Sequence, residues 1–262
     1  MIRTTVSLLL AAFALSVAAE DSMSILKPVK AMNAAGQPVF KQGAAQPQTQ
    51  QVPQVFVDVE KLLQAKDYNG ALAKLDSALA ENPDDFRLIA IKAYTYFKYM
   101  GQKETGLKVI DDAIAKYPKM FDLYQFKVEL LKHSGDKDLD SKILEVYKTA
   151  AENCKDNPLR LSNHGTELLK QKLGEIRIVP AMLLLRAAKA GMADRPDTEK
   201  FIISCNLAHG YYFCSRADLA AAEQAGAAKY AKNEIDLDNS NKLLAFYKES
   251  AAMAKKLDNV ER

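Results

Sequence analysis

The three cysteines have the most direct capacity for chemistry in this sequence, because a thiolate can attack a carbonyl, bind a metal or form a disulfide. Cys205 and Cys214 lie nine residues apart in a stretch that is predicted to be one helix. Nine helical residues rise about 13.5 Å and place the second side chain half a turn away from the first. A disulfide needs Cα atoms within about 7 Å, so this pair is excluded while the helix is intact. Both thiols have apolar neighbours, which favours buried and inert side chains.

The histidines do not form a metal-binding or catalytic pattern. His133, His164 and His209 are isolated, and none has a second histidine at ligand spacing. The sequence also lacks a glycine-rich phosphate loop, a nucleophile elbow and a helix with paired histidines. We therefore expect surface or groove histidines, and the sequence predicts no catalytic residue, no metal and no cofactor.

Two acidic segments, 136–140 and 236–240, place carboxylate or amide oxygens at alternate positions, as calcium loops do. A calcium-binding helix–loop–helix also requires glycine at the sixth position and a bidentate glutamate at the twelfth. The sixth positions here are Ser141 and Asn241, and both twelfth positions are tyrosine. The segments are therefore predicted to be helix-capping turns.

The first 19 residues have the pattern of a cleavable signal peptide. Arg3 gives a positive start, an apolar run extends over Val6–Val17, and small residues precede Glu20. The run of about a dozen residues is shorter than the ~20 that a membrane-spanning helix needs. We expect a periplasmic or secreted protein without membrane insertion after cleavage.

Residues 20–54 are rich in Gln, Ala and Pro and lack periodic apolar positions, which is typical of a disordered linker. Residues 55–262 are then predicted to form one folded domain. The formal net charge is +3, with basic and acidic residues interspersed, so no clustered basic surface for nucleic acid is evident.

From Val55 onward, apolar residues recur at spacings of three and four, which predicts helices throughout the domain. Proline, glycine and capping residues interrupt this pattern and mark the predicted helix ends. The breaks fall at Asn82–Asp85, Tyr117–Pro118, Ser134–Asp136, Asn157–Pro158, Gly174 and Gly191–Pro196. A longer helix is predicted over 139–155, a helix pair over 159–190, and a final amphipathic helix over 240–257.

Three small or helix-ending residues recur at a fixed period. Ala71, Ala78 and Pro83 return as Gly106, Ala113 and Pro118, each 35 residues later. With the turn at 66–71, this pattern resembles the tetratricopeptide repeat (TPR), a helix–turn–helix unit of about 34 residues. The resemblance is strong over 55–135 and weaker beyond. It implies an all-α fold, an α-solenoid of antiparallel helix pairs with about five units and a C-terminal capping helix.

In the TPR family the first helices of successive units line a groove that takes a peptide or a partner helix. The resemblance therefore implies a partner-binding groove in this chain. In the second unit its residues are Leu88, Ile91, Thr95, Lys98 and Tyr99. In the third they are Gln125, Glu129 and Lys132, with Asp122 and His133 beside them. In the fifth they are Ile202, Cys205, His209, Tyr212 and Phe213.

These observations favour a non-enzymatic, exported scaffold that binds a protein or peptide, in the manner of cell-envelope assembly proteins with such repeats. Two alternatives remain open at this point. One is an enzyme with its site in the divergent region 155–235, where Cys205, His209, Tyr212 and Cys214 would be the residues to test. The other is a structural protein that self-associates as a homo-oligomer.

Overall fold

The computed structural model describes residues 53–171 and 177–260. The predicted signal peptide, the linker up to residue 52 and Gly174 lie outside the described residues. Within these ranges the chain forms eleven α-helices and no strand. The prediction of an all-α fold built from helix pairs is confirmed.

The helices follow the predicted breaks closely. They are α1 (Gln54–Gln64), α2 (Tyr68–Glu81), α3 (Phe86–Tyr94), α4 (Lys103–Lys116), α5 (Phe121–Lys132), α6 (Leu139–Asn153), α7 (Pro158–Lys170), α8 (Ile178–Ala190), α9 (Asp197–Phe213), α10 (Ala217–Ala227) and α11 (Glu234–Val260). A π-helical turn over Thr95–Tyr99 follows α3, and a 3₁₀ turn over Ala228–Tyr230 follows α10. Of the helices described, none is long and apolar enough to cross a membrane.

The chain divides into two compact units, one ending at Thr95 and the other beginning at Tyr96. In the N-terminal unit, a short turn joins α1 to α2 and makes them antiparallel neighbours. Asp67 starts α2 by accepting a hydrogen bond from the Gly70 backbone N–H at 2.9 Å. Ala71, the first predicted small position, is fully buried together with Leu75.

The C-terminal unit contains α4 to α11 around one large apolar cluster to which α5 to α9 all contribute. Two glycines allow close helix packing there. A Cβ at Gly165 of α7 would lie 2.9 Å from Leu185 Cγ, and one at Gly210 of α9 would lie 2.6 Å from Leu185 Cδ1. The fourth and fifth predicted pairs, α7/α8 and α9/α10, therefore share α8 as a common packing surface.

The last helix begins earlier than the sequence predicted. It starts at Glu234 rather than residue 240, because the Asn233 side chain accepts a hydrogen bond from the Asp236 backbone N–H at 2.8 Å. Acidic side chains in the first turn also interact favourably with the helix dipole. The segment 236–240, predicted to be a capping turn, is thus the first part of α11.

Candidate functional site

The N-terminal unit holds three of the predicted groove residues, and two of them are buried. Leu88 is 2% exposed and Thr95 is 0% exposed. The Thr95 hydroxyl donates to the Ile91 carbonyl at 2.8 Å, which satisfies it within the helix. Leu88 and Thr95 are therefore core residues rather than groove residues, while Ile91 is partly buried.

The π-helical turn contains the last two groove residues predicted in the second pair. Lys98 is exposed and Tyr99 is partly buried. Directly before them in the sequence, Phe97 is only 4% exposed and belongs to the core. Within this turn, Phe97 therefore packs in the core, whereas Tyr99 keeps part of its side chain at the surface.

The groove-facing residues of α5 lie opposite the first helix of the next pair. Asp122 of α5 forms an ion pair with Arg160 of α7. One turn further along each helix, Gln125 Nε2 lies 2.7 Å from His164 Nδ1. The first helices of the third and fourth pairs are therefore neighbours, as the repeat pattern implies.

His164 is held on both ring nitrogens. The Gln125 amide oxygen faces Arg160, with 3.4 Å between Oε1 and Nη2, so its Nε2 donates to His164 Nδ1. Nε2–H of His164 then donates to the Tyr147 hydroxyl of α6 at 2.9 Å. Burial, with the positive charges of Arg160 and Lys132, lowers the pKa of His164 to about 3. The sequence predicted a surface or groove histidine, whereas the structure has a neutral, structural one that joins three helices.

Beyond this contact, α5 and α7 present a polar surface of mixed charge. Glu129 and Lys132 form an ion pair at 2.7 Å on α5, and Glu167 and Lys170 form one at 2.7 Å on α7. Asn163 is exposed beside them. These residues recur at helical spacings of three and four, so they lie along one side of each helix.

The corresponding side of α9 is aromatic. Tyr212 and Phe213 are 36% and 37% exposed, which is high for such large apolar side chains. The rings of His209 and Phe213 are in edge-to-face contact, with 4.9 Å between centroids. Burial, then the positive charge of Lys170 on α7, lowers the pKa of His209. Deeper down, Asn206 Nδ2 donates to Ser162 Oγ at 3.0 Å and fixes the two helices together.

We call this surface the first-helix face, since it consists of exposed or partly exposed residues on the first helices of three successive pairs. Its members are Gln125, Glu129, Lys132, Asn163, Glu167, Lys170, His209, Tyr212 and Phe213. Sequence reasoning identified the members on α5 and α9. It omitted those on α7, because the small-residue pattern that sets the repeat register is weak there.

The cysteines do not form a reactive site. Burial raises the pKa of both Cys154 and Cys205 to about 11, and it also raises the pKa of Cys214. Cys205 is turned away from the first-helix face toward α10, where Gln224 Nε2 lies 3.5 Å from its sulfur. A protonated thiol is a poor nucleophile, so these surroundings oppose cysteine chemistry.

Among the described residues of the C-terminal unit, two cavities lie near the first helices. One of about 150 Å³ lies at the N-terminal ends of α5 and α7 and is lined by polar groups that include Lys119, Asp122 and Arg160. The other, of about 110 Å³, is lined mainly by apolar side chains such as Val128 and Leu168. Over the residues that the structure describes, no group of three or more His, Cys, Asp or Glu side chains is placed to hold a metal ion.

Comparisons with known proteins add little to this geometry. No family model matches the chain, and no curated protein matches it. Among solved structures, the chain is similar to a thermophilic TPR protein of Thermus thermophilus, with 22% sequence identity and a TM-score of 0.31. The match covers 76% of this chain and 98% of the other.

Proposed function

We propose that this chain is an exported, non-enzymatic binding protein that holds a segment of a partner protein against its first-helix face. The observation that carries the proposal is the exposure of Tyr212 and Phe213 beside a polar surface on α5 and α7. Exposed aromatic side chains next to polar groups are typical of protein-binding surfaces, where aromatic anchors dominate the binding energy.

The aromatic part of the first-helix face, on α9, and its polar part, on α5 and α7, would bind different parts of one partner segment. Apolar side chains of the partner would cover the exposed third of Tyr212 and of Phe213. Fully burying a Phe-sized side chain is worth about 1.5–3 kcal/mol, so covering the remaining third of each contributes about 0.5–1 kcal/mol. The ion pairs Glu129–Lys132 and Glu167–Lys170 would meet polar residues and contribute more to selection than to affinity. An amphipathic helix or an extended peptide with apolar residues at one end fits this division.

Export is the second part of the proposal. It is supported by the signal-peptide pattern of residues 1–19. A binding module in the cell envelope is consistent with that pattern. N-terminal sequencing of the protein isolated from its host would test it, with Glu20 as the expected first residue. A chain that retains Met1 and stays in the cytoplasm would overturn it.

The binding proposal is tested by site-specific photo-crosslinking. A benzoylphenylalanine is placed at Phe213, and in a matched variant at Val179, which is 57% exposed on the second helix α8. In intact cells, position 213 is expected to give a discrete crosslinked partner, and position 179 is not. The same product at both positions, or none at 213, would contradict the proposal.

A second measurement uses the captured partner. Replacing both aromatics in Y212S/F213S is expected to weaken binding by at least about tenfold, since each 1.4 kcal/mol lost is a factor of ten. V179S is expected to bind as the unmodified chain does. Circular dichroism and thermal melting of both variants check that the fold is retained, since the Tyr212 ring also packs against Phe246 and Tyr247.

A further inference from the structure

The inner side of α11 is fixed by its contacts with the body of the C-terminal unit. Gln224 of α10 donates to Ser240 Oγ at 2.8 Å, and Tyr247, two turns further along, is 1% exposed against Ala208 and Ala220. Leu243 lies between them on the same side of the helix. These residues identify the part of α11 that the chain itself covers.

A different side of α11 carries three large apolar residues in the open. Ile235, Phe246 and Met253 are 62%, 46% and 59% exposed. Their spacings of 11 and 7 residues are close to three and two helical turns, so the three side chains form one line about 27 Å long. By the same geometry this line lies about a third of a turn away from Tyr247.

The C-terminal part of the helix is unsupported by the rest of the chain. Ala254 continues the inner line of Leu243 and Tyr247, yet it is exposed, and so are its neighbours from Ala252 to Lys256. A helix end with no packed side is marginal in water, since helical stability in proteins comes mostly from tertiary packing. This end of α11 therefore lacks a packing partner within the described chain.

The charges that flank the apolar line point to what that partner is. Counting from Phe246 toward the N-terminus, Lys242 comes first and Asp238 one turn later; both are exposed, with an ion pair at 2.6 Å. Toward the C-terminus, the exposed charged residues on this same side of the helix are Glu249 and then Lys256, while Lys248 and Lys255 face away from the apolar line. The order of signs is positive then negative in one direction, and negative then positive in the other.

We propose that α11 binds α11 of a second copy, antiparallel, about a twofold axis that passes close to Phe246. Under that symmetry Lys242 of each copy lies beside Glu249 of the other, and Asp238 lies near Lys256. The apolar line meets its own counterpart in the same arrangement. A twofold interface requires such a self-complementary surface, and an unrelated partner does not.

The interaction is separate from the proposed binding of a partner on the first-helix face. Ile235, Lys242, Glu249 and Met253 lie on α11 and are not members of that face. The two surfaces adjoin at Tyr212, whose ring contacts Phe246 with 5.2 Å between centroids. The other members of the first-helix face lie on α5, α7 and α9, and none of them is needed for the contact between the two α11 helices.

Sedimentation equilibrium of the purified protein tests the proposal through two opposite charge changes. K242E places two glutamates together twice in each dimer, and E249K does the same with two lysines. Each variant alone is expected to weaken dimerisation by roughly tenfold or more, because like charges in contact are strongly unfavourable. An equimolar mixture of the two is expected to restore it, since every facing pair is then of opposite sign.

The matched control is K248E, the same substitution on the same helix at a position that faces away from the apolar line. It is expected to dimerise as the unmodified protein does. The proposal is overturned if the unmodified protein remains a single chain into the high micromolar range. It is equally overturned if K242E and E249K dimerise unchanged, or if mixing them restores nothing.

Discussion

Gln125 and His164 join the first helices of two successive pairs, with 2.7 Å between Nε2 of the amide and Nδ1 of the ring. The contact works only when the ring is neutral, because Nδ1 must accept the hydrogen bond. It therefore couples the packing of α5 on α7 to the protonation of one side chain.

This coupling predicts a pH-dependent stability. The pKa of His164 is about 3 in the folded chain, against an ordinary value of 6.5, so the unfolded chain binds more protons between these values. The contribution of neutral His164 to the free energy of unfolding is fully present above about pH 6.5, and it is lost as the pH falls toward 3. Between about pH 7.5 and pH 5 the expected loss is about 2 kcal/mol, at about 1.4 kcal/mol per pH unit below 6.5.

Urea unfolding at the two pH values measures this loss. In H164Q the difference between them is expected to shrink by most of that amount, although the variant is less stable overall. H133Q changes an exposed histidine and is expected to keep the full difference. An H164Q variant with the pH dependence of the unmodified chain would show that His164 is not the titrating group. Burial lowers the pKa of His209 as well, so this side chain acts in the same direction.

Gly101 and Gly135 occupy equivalent turns and both have left-handed backbone, with φ of 71° and 81°. A Cβ at either position would meet no atom within 4 Å, so an alanine there is opposed by backbone strain alone. G135A is expected to lower the free energy of unfolding by about 1–2 kcal/mol, as measured by the urea midpoint.

Gly226 is the matched control for this change. It lies in helix α10, its backbone is not left-handed, and a Cβ there also meets nothing within 4 Å. G226A is therefore expected to raise stability by up to about 1 kcal/mol, the difference in helix propensity between alanine and glycine. If G135A and G226A changed the free energy of unfolding equally, the left-handed backbone at Gly135 would not be the cause of the effect there.

The three thiols are predicted to react slowly in the native protein. With a pKa of about 11, Cys154 and Cys205 are almost entirely protonated at neutral pH. Iodoacetamide labelling followed by mass spectrometry should modify them at least about a hundredfold more slowly than a cysteine of ordinary pKa near 8.5. In urea all three thiols should react at similar rates.

A cysteine placed at Ser77, an exposed position in helix α2, supplies the reference rate in the same chain. Rapid native labelling of Cys205 relative to that reference would favour the alternative of an enzyme in the region 155–235. Slow labelling of all three native thiols would count against this alternative.

The sequence predicted the helices well because their signals are local. Apolar spacing, proline and glycine located the breaks after α2, α4, α5, α6 and α8, each within a few residues of the observed helix ends. The start of α11 was missed because the acidic, alternating segment 236–240 favours a turn as much as a first helical turn. In the structure the Asp236 backbone N–H donates to the Asn233 side chain, and the Leu237 N–H donates to the Asn233 carbonyl, as at the start of a helix.

The candidate site was only partly predictable. The repeat register placed Gln125, Glu129, Tyr212 and Phe213 on accessible sides of their helices, and it also placed Leu88 there, which is buried. The helical period predicts which residues share a side of a helix. It does not predict which side another helix will cover, because that side is set by contacts between residues distant in sequence.

By itself, then, the sequence determined the helix pairs, their turns and the positions of small residues, since these follow from spacing and backbone preference along one stretch of chain. The tertiary structure alone decided which polar side chains bond to one another across helices. Gln125, Tyr147 and His164 come from three helices, and their hydrogen bonds exist only once those helices pack. The same packing left Tyr212, Phe213 and the apolar line of α11 partly exposed. Both proposed binding surfaces are built from these exposed residues.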